Sequence, residues 1–240
     1  MRIAVLEDEP SQMQHLVHVL EHRLMLGDEI VSCVRFDRGE ALRRALRTET
    51  FDLLLLDWSV PDLDGIDLLM WLRQTRSSAV PVIMLSSRGS ERDVAAALGL
   101  GADDYLAKPL RPLELIARIK RIVLRQQPAL SRSVERFDEW VFDRSSLNVR
   151  VEPREGESQA FELSDGEFRL ALALFHNLGR TVSRSYLMER VGLDGELPTR
   201  ALDSQIYRLR AKLSLHSARG LRLLTVYGQG YRLEKSDESD

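Results

Sequence analysis

Short apolar runs punctuate the first 125 residues, and amphipathic segments with helical periodicity follow them. The strand candidates are Ile3–Leu6, Ile30–Val34, Leu53–Leu56, Val80–Leu85 and Asp104–Leu106. Leu53–Leu56 is apolar without alternation, as a strand covered on both faces requires. Strands alternating with helices predict an α/β domain, a parallel sheet with helices on both sides.

The rhythm breaks at Gln126–Ser133, which contains Pro128 and reads as a linker. Beyond it, strand-like pieces come first, around Trp140–Phe142, Val149–Val151 and Phe161–Leu163. Ser164-Asp165-Gly166-Glu167 then has the form of a capping box, and Leu163 and Phe168 are placed for a hydrophobic staple. The helix it opens is expected to run to about Asn177 and to stop before Gly179. Further helices are expected near Ser183 and near Thr199. Leu221–Val226, the turn Tyr227-Gly228-Gln229-Gly230 and Tyr231–Leu233 predict a β-hairpin. Three helices closed by a hairpin predict an α+β winged helix-turn-helix. The expected organisation is one domain over 1–125, a linker over 126–133, a second domain over 134–235 and a disordered acidic tail over 236–240.

Composition changes this picture only in places. Apolar residues make up 44% and charged residues 30% of the 240 residues, as in soluble globular domains. No apolar run approaches the roughly 20 residues of a membrane span. The chain enters its first strand at once, so no signal segment is expected. A single cysteine, Cys33, excludes an internal disulfide and fits a cytoplasmic protein; its apolar setting suggests a buried small side chain. The net charge of −3 hides an asymmetry: residues 199–232 hold seven basic residues against one acid, Asp203. Such a cluster points to a polyanion, although an Arg-rich surface alone would give the same count. His15, His18 and His22 share one side of the first helix; no carboxylate or cysteine completes a metal set there, so a solvated face is expected.

Candidate chemistry lies in the first half. In an open parallel sheet, function collects at the carboxyl ends of the strands. Glu7, Asp8, Asp57, Ser86 and Lys108 stand at those ends. Clustered carboxylates tolerate one another around a hard divalent cation such as Mg²⁺. A lysine and a hydroxyl beside them can each hold a phosphoryl oxygen. The set suits phosphoryl transfer onto a carboxylate.

These residues make residues 1–125 resemble the receiver domains of response regulators. The resemblance rests on Glu7-Asp8, on Asp57 within LLLLDWSVPDLDG, on Ser86 in VIMLSS and on Tyr105, Lys108 and Pro109 in GADDYLAKP. It implies a flavodoxin-like, doubly wound sheet of five parallel strands. It also implies that Asp57 accepts a phosphoryl group from a sensor histidine kinase. Glu7, Asp8 and Asp57, with the Ser59 carbonyl, would hold Mg²⁺, and Ser86 and Tyr105 would act as a switch pair. Ser87 departs from the family's usual alanine. Ser59 and Arg88 occupy positions that tune phosphoryl lifetime in the family.

On the third helix of the second half, Leu202, Ile206, Leu209 and Leu213 form a core stripe. The opposite face carries Arg200, Ser204, Tyr207, Arg208 and Ala211, with Gln205, Arg210 and Lys212 toward the flanks. Arginine is the commonest reader of guanine in the major groove, so Arg208 is the candidate base reader. LSDGEFRLALALF, TVSRSYL, TRALDSQIYRLRAKL and LLTVYGQGYRL resemble the winged-helix output domain of the OmpR/PhoB family. By that resemblance Ser204 also meets bases, and Arg200, Gln205, Arg210 and Thr225 hold phosphates. Tyr227 stands where many members carry a wing arginine, and Val191 replaces a common tryptophan.

The resemblance further implies pairing through the fourth helix, fifth strand and fifth helix, with Asp103, Asp104, Glu114, Arg118 and Arg125 on that surface. Val94, Gly99 and Leu100 are uncharged where charged partners are usual, so a weak dimer is expected. The expected partners are the kinase, double-stranded promoter DNA, a second copy of the chain and RNA polymerase. The reading is a regulator of transcription that is not an enzyme beyond its own phosphorylation and dephosphorylation. Alternatives are a regulator that ignores phosphate, or an aspartate-nucleophile phosphatase. The phosphatase chemistry calls for a second acid two residues after the nucleophile, where this chain has Ser59.

Overall fold

The computed structural model describes residues 1–27, 30–75, 78–126, 133–153, 156–192, 199–216 and 220–236. Almost all of the expected linker and acidic tail lie outside them. The chain forms two compact units, one of Met1–Arg47 with Phe51–Ser131, the other dominated by Arg132–Asp240.

In the first unit five strands alternate with five helices: β1 (Arg2–Leu6), α1 (Pro10–Arg23), β2 (Ser32–Phe36), α2 (Gly39–Ala45), β3 (Leu53–Asp57), α3 (Gly65–Gln74), β4 (Val82–Ser86), α4 (Glu91–Gly99), β5 (Asp104–Ala107) and α5 (Pro112–Gln126). The sheet order is β2-β1-β3-β4-β5, all parallel. Period-two alternation divides the buried strands between two cores. Ile3, Val5, Leu53, Leu55, Ile83 and Leu85 pack with α1 and α5, while Ala4, Leu6, Leu54, Leu56, Val82 and Met84 pack with α2, α3 and α4. The strand order reverses at β1, so the crevice above β1 and β3 is the place where an open α/β sheet binds ligands.

Two strands are shifted from the sequence reading. β2 was expected over Ile30–Val34 and occupies Ser32–Phe36, because its register pairs Arg2 with Ser32 and Leu6 with Phe36. Ile30 stays outside the strand and exposed. β4 begins at Val82 rather than Val80, since Pro81 has no N–H for a ladder; its carbonyl still accepts from Leu54 N at 2.9 Å.

The second unit starts with an antiparallel sheet of β6 (Val134–Phe137), β7 (Trp140–Asp143), β8 (Asn148–Val151) and β9 (Gln159–Glu162). Then come α6 (Asp165–His176), β10 (Thr181–Ser183), α7 (Arg184–Arg190), α8 (Thr199–Lys212), β11 (Leu221–Val226) and β12 (Gly230–Lys235). The capping box is formed: Glu167 N donates to Ser164 Oγ at 3.4 Å and Ser164 N to Glu167 Oε2 at 2.9 Å. Leu163 and Phe168 lie in one core with Leu202, Ile206, Leu209 and Leu213 of α8. The sequence reading missed β6 and β10. β10 has three residues, too few for periodicity to register, and it makes the wing a three-stranded sheet, β10-β12-β11. At Gly230, a Cβ would lie 2.0 Å from the Val182 carbonyl oxygen, so glycine lets β12 approach β10.

Candidate functional site

β1, β3 and β5 run parallel in one sheet, with β4 between the last two, and the residues that follow or end them converge. One carboxylate oxygen each from Glu7, Asp8 and Asp57 lies within 4.8 Å of the others, the only such grouping of three ligands among the described residues. Glu7 and Asp57 are buried and Asp8 is exposed, so the cluster opens to solvent on one side. Lys108 Nζ donates to Asp57 Oδ2 at 2.6 Å and to Glu7 Oε2 at 2.7 Å. Burial pushes the Glu7 carboxyl above its ordinary value, and the neighbouring Asp57 charge adds to the effect against the Lys108 hydrogen bond. Burial pulls Lys108 down, but its hydrogen bonds to Asp57 and Glu7 outweigh this and leave the amine above its ordinary value. One ammonium facing three carboxylates leaves the pocket negative when all are ionised. An all-oxygen donor set with an uncompensated charge fits a hard divalent cation.

Above the strand ends, Ser86 is buried and its Oγ accepts from Arg88 N at 3.0 Å. The Tyr105 hydroxyl donates to the Arg88 carbonyl, and its ring is buried, edge-on to Trp58 with centroids 6.4 Å apart. The Arg88 guanidinium lies 5.4 Å from the Trp58 ring centroid. Arg88 is therefore held by its N–H, its carbonyl and its side chain. Ser59 N faces Asp57 Oδ1 at 3.4 Å. The segment from Asp57 to Gly65 is tight: Gly65 N donates to the Trp58 carbonyl at 2.9 Å.

Four of the five residues expected at a dimer surface have partners within their own unit. Asp104 takes Arg118 at 3.0 Å and Arg121 at 2.9 Å, and Glu114 takes Arg118 at 2.7 Å. Asp103 pairs with Arg73 at 3.2 Å. Arg125 is exposed.

On α8, Arg200, Ser204, Tyr207 and Arg208 are exposed, as is Thr225 on β11. Ser204 Oγ donates back to the Arg200 carbonyl at 2.9 Å. Gln205 and Arg210 are half-buried, and Lys212 is tied to Glu167 at 2.9 Å. At the tip of the wing Tyr227 is 94% exposed. The wing cations are paired: Arg222 and Arg232 with Glu234 at 2.8 and 2.6 Å, Lys235 with Asp138 at 2.7 Å.

Two polar clusters were missed by the sequence reading. Glu135, His176 and Arg144 meet beneath β6, and Arg184, Asp203 and Tyr231 meet between α7, α8 and β12. Their members lie far apart in the chain; the one visible signal was Asp203 as the lone acid of a basic stretch. Cys33 is half-buried rather than buried, and burial, with Glu21 nearby, pushes its thiol to about 12. His15, His18 and His22 are exposed; the His18 and His22 rings stack at 4.5 Å.

Residues 3–120 match the family model of the response regulator receiver domain, and residues 158–233 that of the transcriptional regulatory protein C-terminal domain. The chain is 36% identical over 235 residues to the phosphate regulon transcriptional regulatory protein PhoB of Rhizobium meliloti, covering 97% of this chain and 98% of that protein. It is 35% identical over 240 residues to the alkaline phosphatase synthesis transcriptional regulatory protein PhoP of Bacillus subtilis, covering 98% and 97%. Among solved structures it is similar to the response regulator DrrB of Thermotoga maritima, an OmpR/PhoB homolog, at 26% identity over 97% of this chain and 98% of that one, with a TM-score of 0.45.

Proposed function

Because this chain belongs to the OmpR/PhoB family of response regulators, we propose that its first unit accepts a phosphoryl group on Asp57 and its second binds promoter DNA in response. The chain is a two-component regulator of transcription. The observation that carries the finer reading is the convergence of Glu7, Asp8, Asp57 and Lys108 above the sheet.

In this reading an Asp57 oxygen attacks the phosphorus of a kinase phosphohistidine. The P–O bond forms, the P–N bond breaks, and the imidazole leaves with the electron pair and takes up a proton. Glu7, Asp8, Asp57 and the Ser59 carbonyl would hold Mg²⁺, which when bound shields the charge of the phosphoryl oxygens. Lys108, already between two carboxylates, shifts to a phosphoryl oxygen as a point charge. The Ser86 hydroxyl donates to another, while Tyr105 stays inside behind it. The only group turned over is the one on Asp57, so the protein is a switch rather than an enzyme. With DNA as its partner it works in the cytoplasm. Domain limits of 1–125 and 134–235 suit this division of labour.

Acetyl phosphate with Mg²⁺ should add one phosphoryl group, read by intact mass. Chelation of Mg²⁺ should abolish the label, and so should Asp57→Ala. A labelled Asp57→Ala protein would place the acceptor elsewhere. The labelled protein should dimerise weakly through the α4, β5 and α5 surface. Asp103, Asp104 and Glu114 are already paired, and exposed ion pairs contribute about 0.2–1 kcal/mol each. A tight dimer that forms without the label, seen by sedimentation, would contradict this. RNA polymerase is the further partner such a dimer on promoter DNA would meet.

On DNA, α8 lies in the major groove with Arg208 on a base edge and Arg200 on a phosphate. Arg208→Ala should lose about 1–3 kcal/mol at one base position and relax sequence preference. Arg200→Ala should weaken specific and random DNA alike and reduce the salt slope by about one unit. An unchanged ratio of specific to random binding in Arg208→Ala would mean that α8 is turned differently.

A further inference from the structure

Asp203 is exposed on α8, the helix that also carries Arg200, Arg208, Arg210 and Lys212. An exposed carboxylate on a helix that meets a polyanion weakens binding, so its presence calls for a compensating role. Asp203 Oδ1 accepts the Tyr231 hydroxyl of β12 and a hydrogen bond from Arg184 Nη2 at 2.5 Å. Arg184, the first residue of α7, also donates to the Tyr231 oxygen at 3.0 Å, and its guanidinium lies 4.8 Å from the centroid of the Tyr231 ring. The Tyr231 ring is itself in the core.

We infer that Arg184, Asp203 and Tyr231 form a polar clamp that fixes the wing against the recognition helix, and that they are positioning residues for DNA recognition. The inference rests on the DNA-binding reading of α8 and goes beyond it, since none of the three needs to touch a base. Each element brings what the others lack: β12 a buried hydroxyl that needs a partner, α8 a carboxylate, α7 the cation that neutralises it. Burial, with the Asp203 hydrogen bond, pushes the Tyr231 phenol to about 12, so it remains a donor throughout the neutral range. Immediately before Tyr231, the close approach of Gly230 to the Val182 carbonyl anchors β12 on β10. Tyr231 pairs with Thr225 and Gly230 with Val226, so the clamp lies only two residues of strand, roughly 7 Å, from the turn that carries Tyr227. A wing tied to Asp203 this close to its turn therefore holds its tip in fixed register with Arg208. A loosened wing lets each element bind DNA without the other's register, which preserves backbone contacts and loses sequence discrimination.

The test uses the full-length protein, a duplex enriched from a random-sequence pool by the unaltered chain, and poly(dI-dC) as non-specific DNA. Tyr231→Phe removes one hydroxyl and no charge. It should lower the ratio of specific to non-specific affinity by about tenfold. Asp203→Asn should lower the ratio as much while non-specific affinity holds or rises, because a repelling charge is gone. The double variant should fall no further than either single one, the mark of a shared interaction. An unchanged ratio in Tyr231→Phe overturns the clamp. So does Asp203→Asn tightening on both DNAs equally, which would make Asp203 only a charge, and so do additive losses. A thermal melting shift in Tyr231→Phe with the ratio unchanged would make the hydroxyl merely structural. If the unaltered chain enriches no duplex, the DNA reading of α8 falls, and the clamp's role with it.

Discussion

Glu135→Ala should destabilise the second unit by about 3–5 kcal/mol, lowering its melting temperature while the first unit keeps its own. Glu135 is 2% exposed on β6. His176 Nε2 lies 2.6 Å from its Oε2, and Arg144 Nε donates to its Oε1 at 2.7 Å. Removing the carboxylate leaves the half-buried Arg144 guanidinium without its counter-charge and the His176 ring nitrogen without its partner, which costs more than the lost attraction alone. The pH dependence has a definite sign. Burial pushes Glu135 up, but His176, by hydrogen bond and charge, and Arg144 together hold it below 4.5. A carboxylate with a depressed folded-state value contributes its stability in full above the unfolded value, near 4.5, and loses it as pH falls through the lower folded value. By chemical denaturation, the stability of the second unit in the unaltered protein should therefore fall below pH 4.5, and Glu135→Gln should flatten that decline. An equally steep decline in Glu135→Gln would assign it to other carboxylates.

Gly65→Ala should cost about 3 kcal/mol or more and slow phosphoryl acceptance. An added Cβ would sit 2.0 Å from the Asp57 carbonyl oxygen and 3.1 Å from its carbon, with Leu56 Cβ at 3.3 Å. None of these is the far end of a flexible side chain, so the backbone of the acceptor residue itself must move. Gly99→Ala is the matched control, since nothing lies within 4 Å of its Cβ and the substitution favours helix. Denaturant titration and the acetyl phosphate labelling rate read both effects. A Gly65→Ala protein with unaltered stability and rate would mean that the Asp57–Gly65 turn is more compliant than its packing implies.

What could be read from the sequence followed from local pattern. The fully buried strand Leu53–Asp57 shows itself because both faces need apolar side chains, and its end places Asp57 directly. The capping box of α6 is a four-residue signal. Clusters assembled across the fold leave no such trace. Glu135 and His176 are 41 positions apart, and Arg184 and Tyr231 are 47. Partner choice on the β5 and α5 surface was equally hidden. Asp104 and Arg118 could be placed on one face, but not that each already satisfies the other. The shifted β2 shows the same limit, because pairing with β1 set its bounds and outweighed the apolar Ile30.

Central to the proposed function is control of DNA binding through Asp57. Its most direct test is the affinity of the full-length chain for a duplex it enriches, measured with and without acetyl phosphate and Mg²⁺, and again for Asp57→Ala. Bringing two output domains to one duplex raises their effective concentration, so the phosphorylated chain should bind at least about tenfold tighter. Asp57→Ala should bind as the untreated protein does under both conditions. Equal affinity of the treated and untreated chain, with the label verified on Asp57, would contradict the account, as would an Asp57→Ala protein that still tightens.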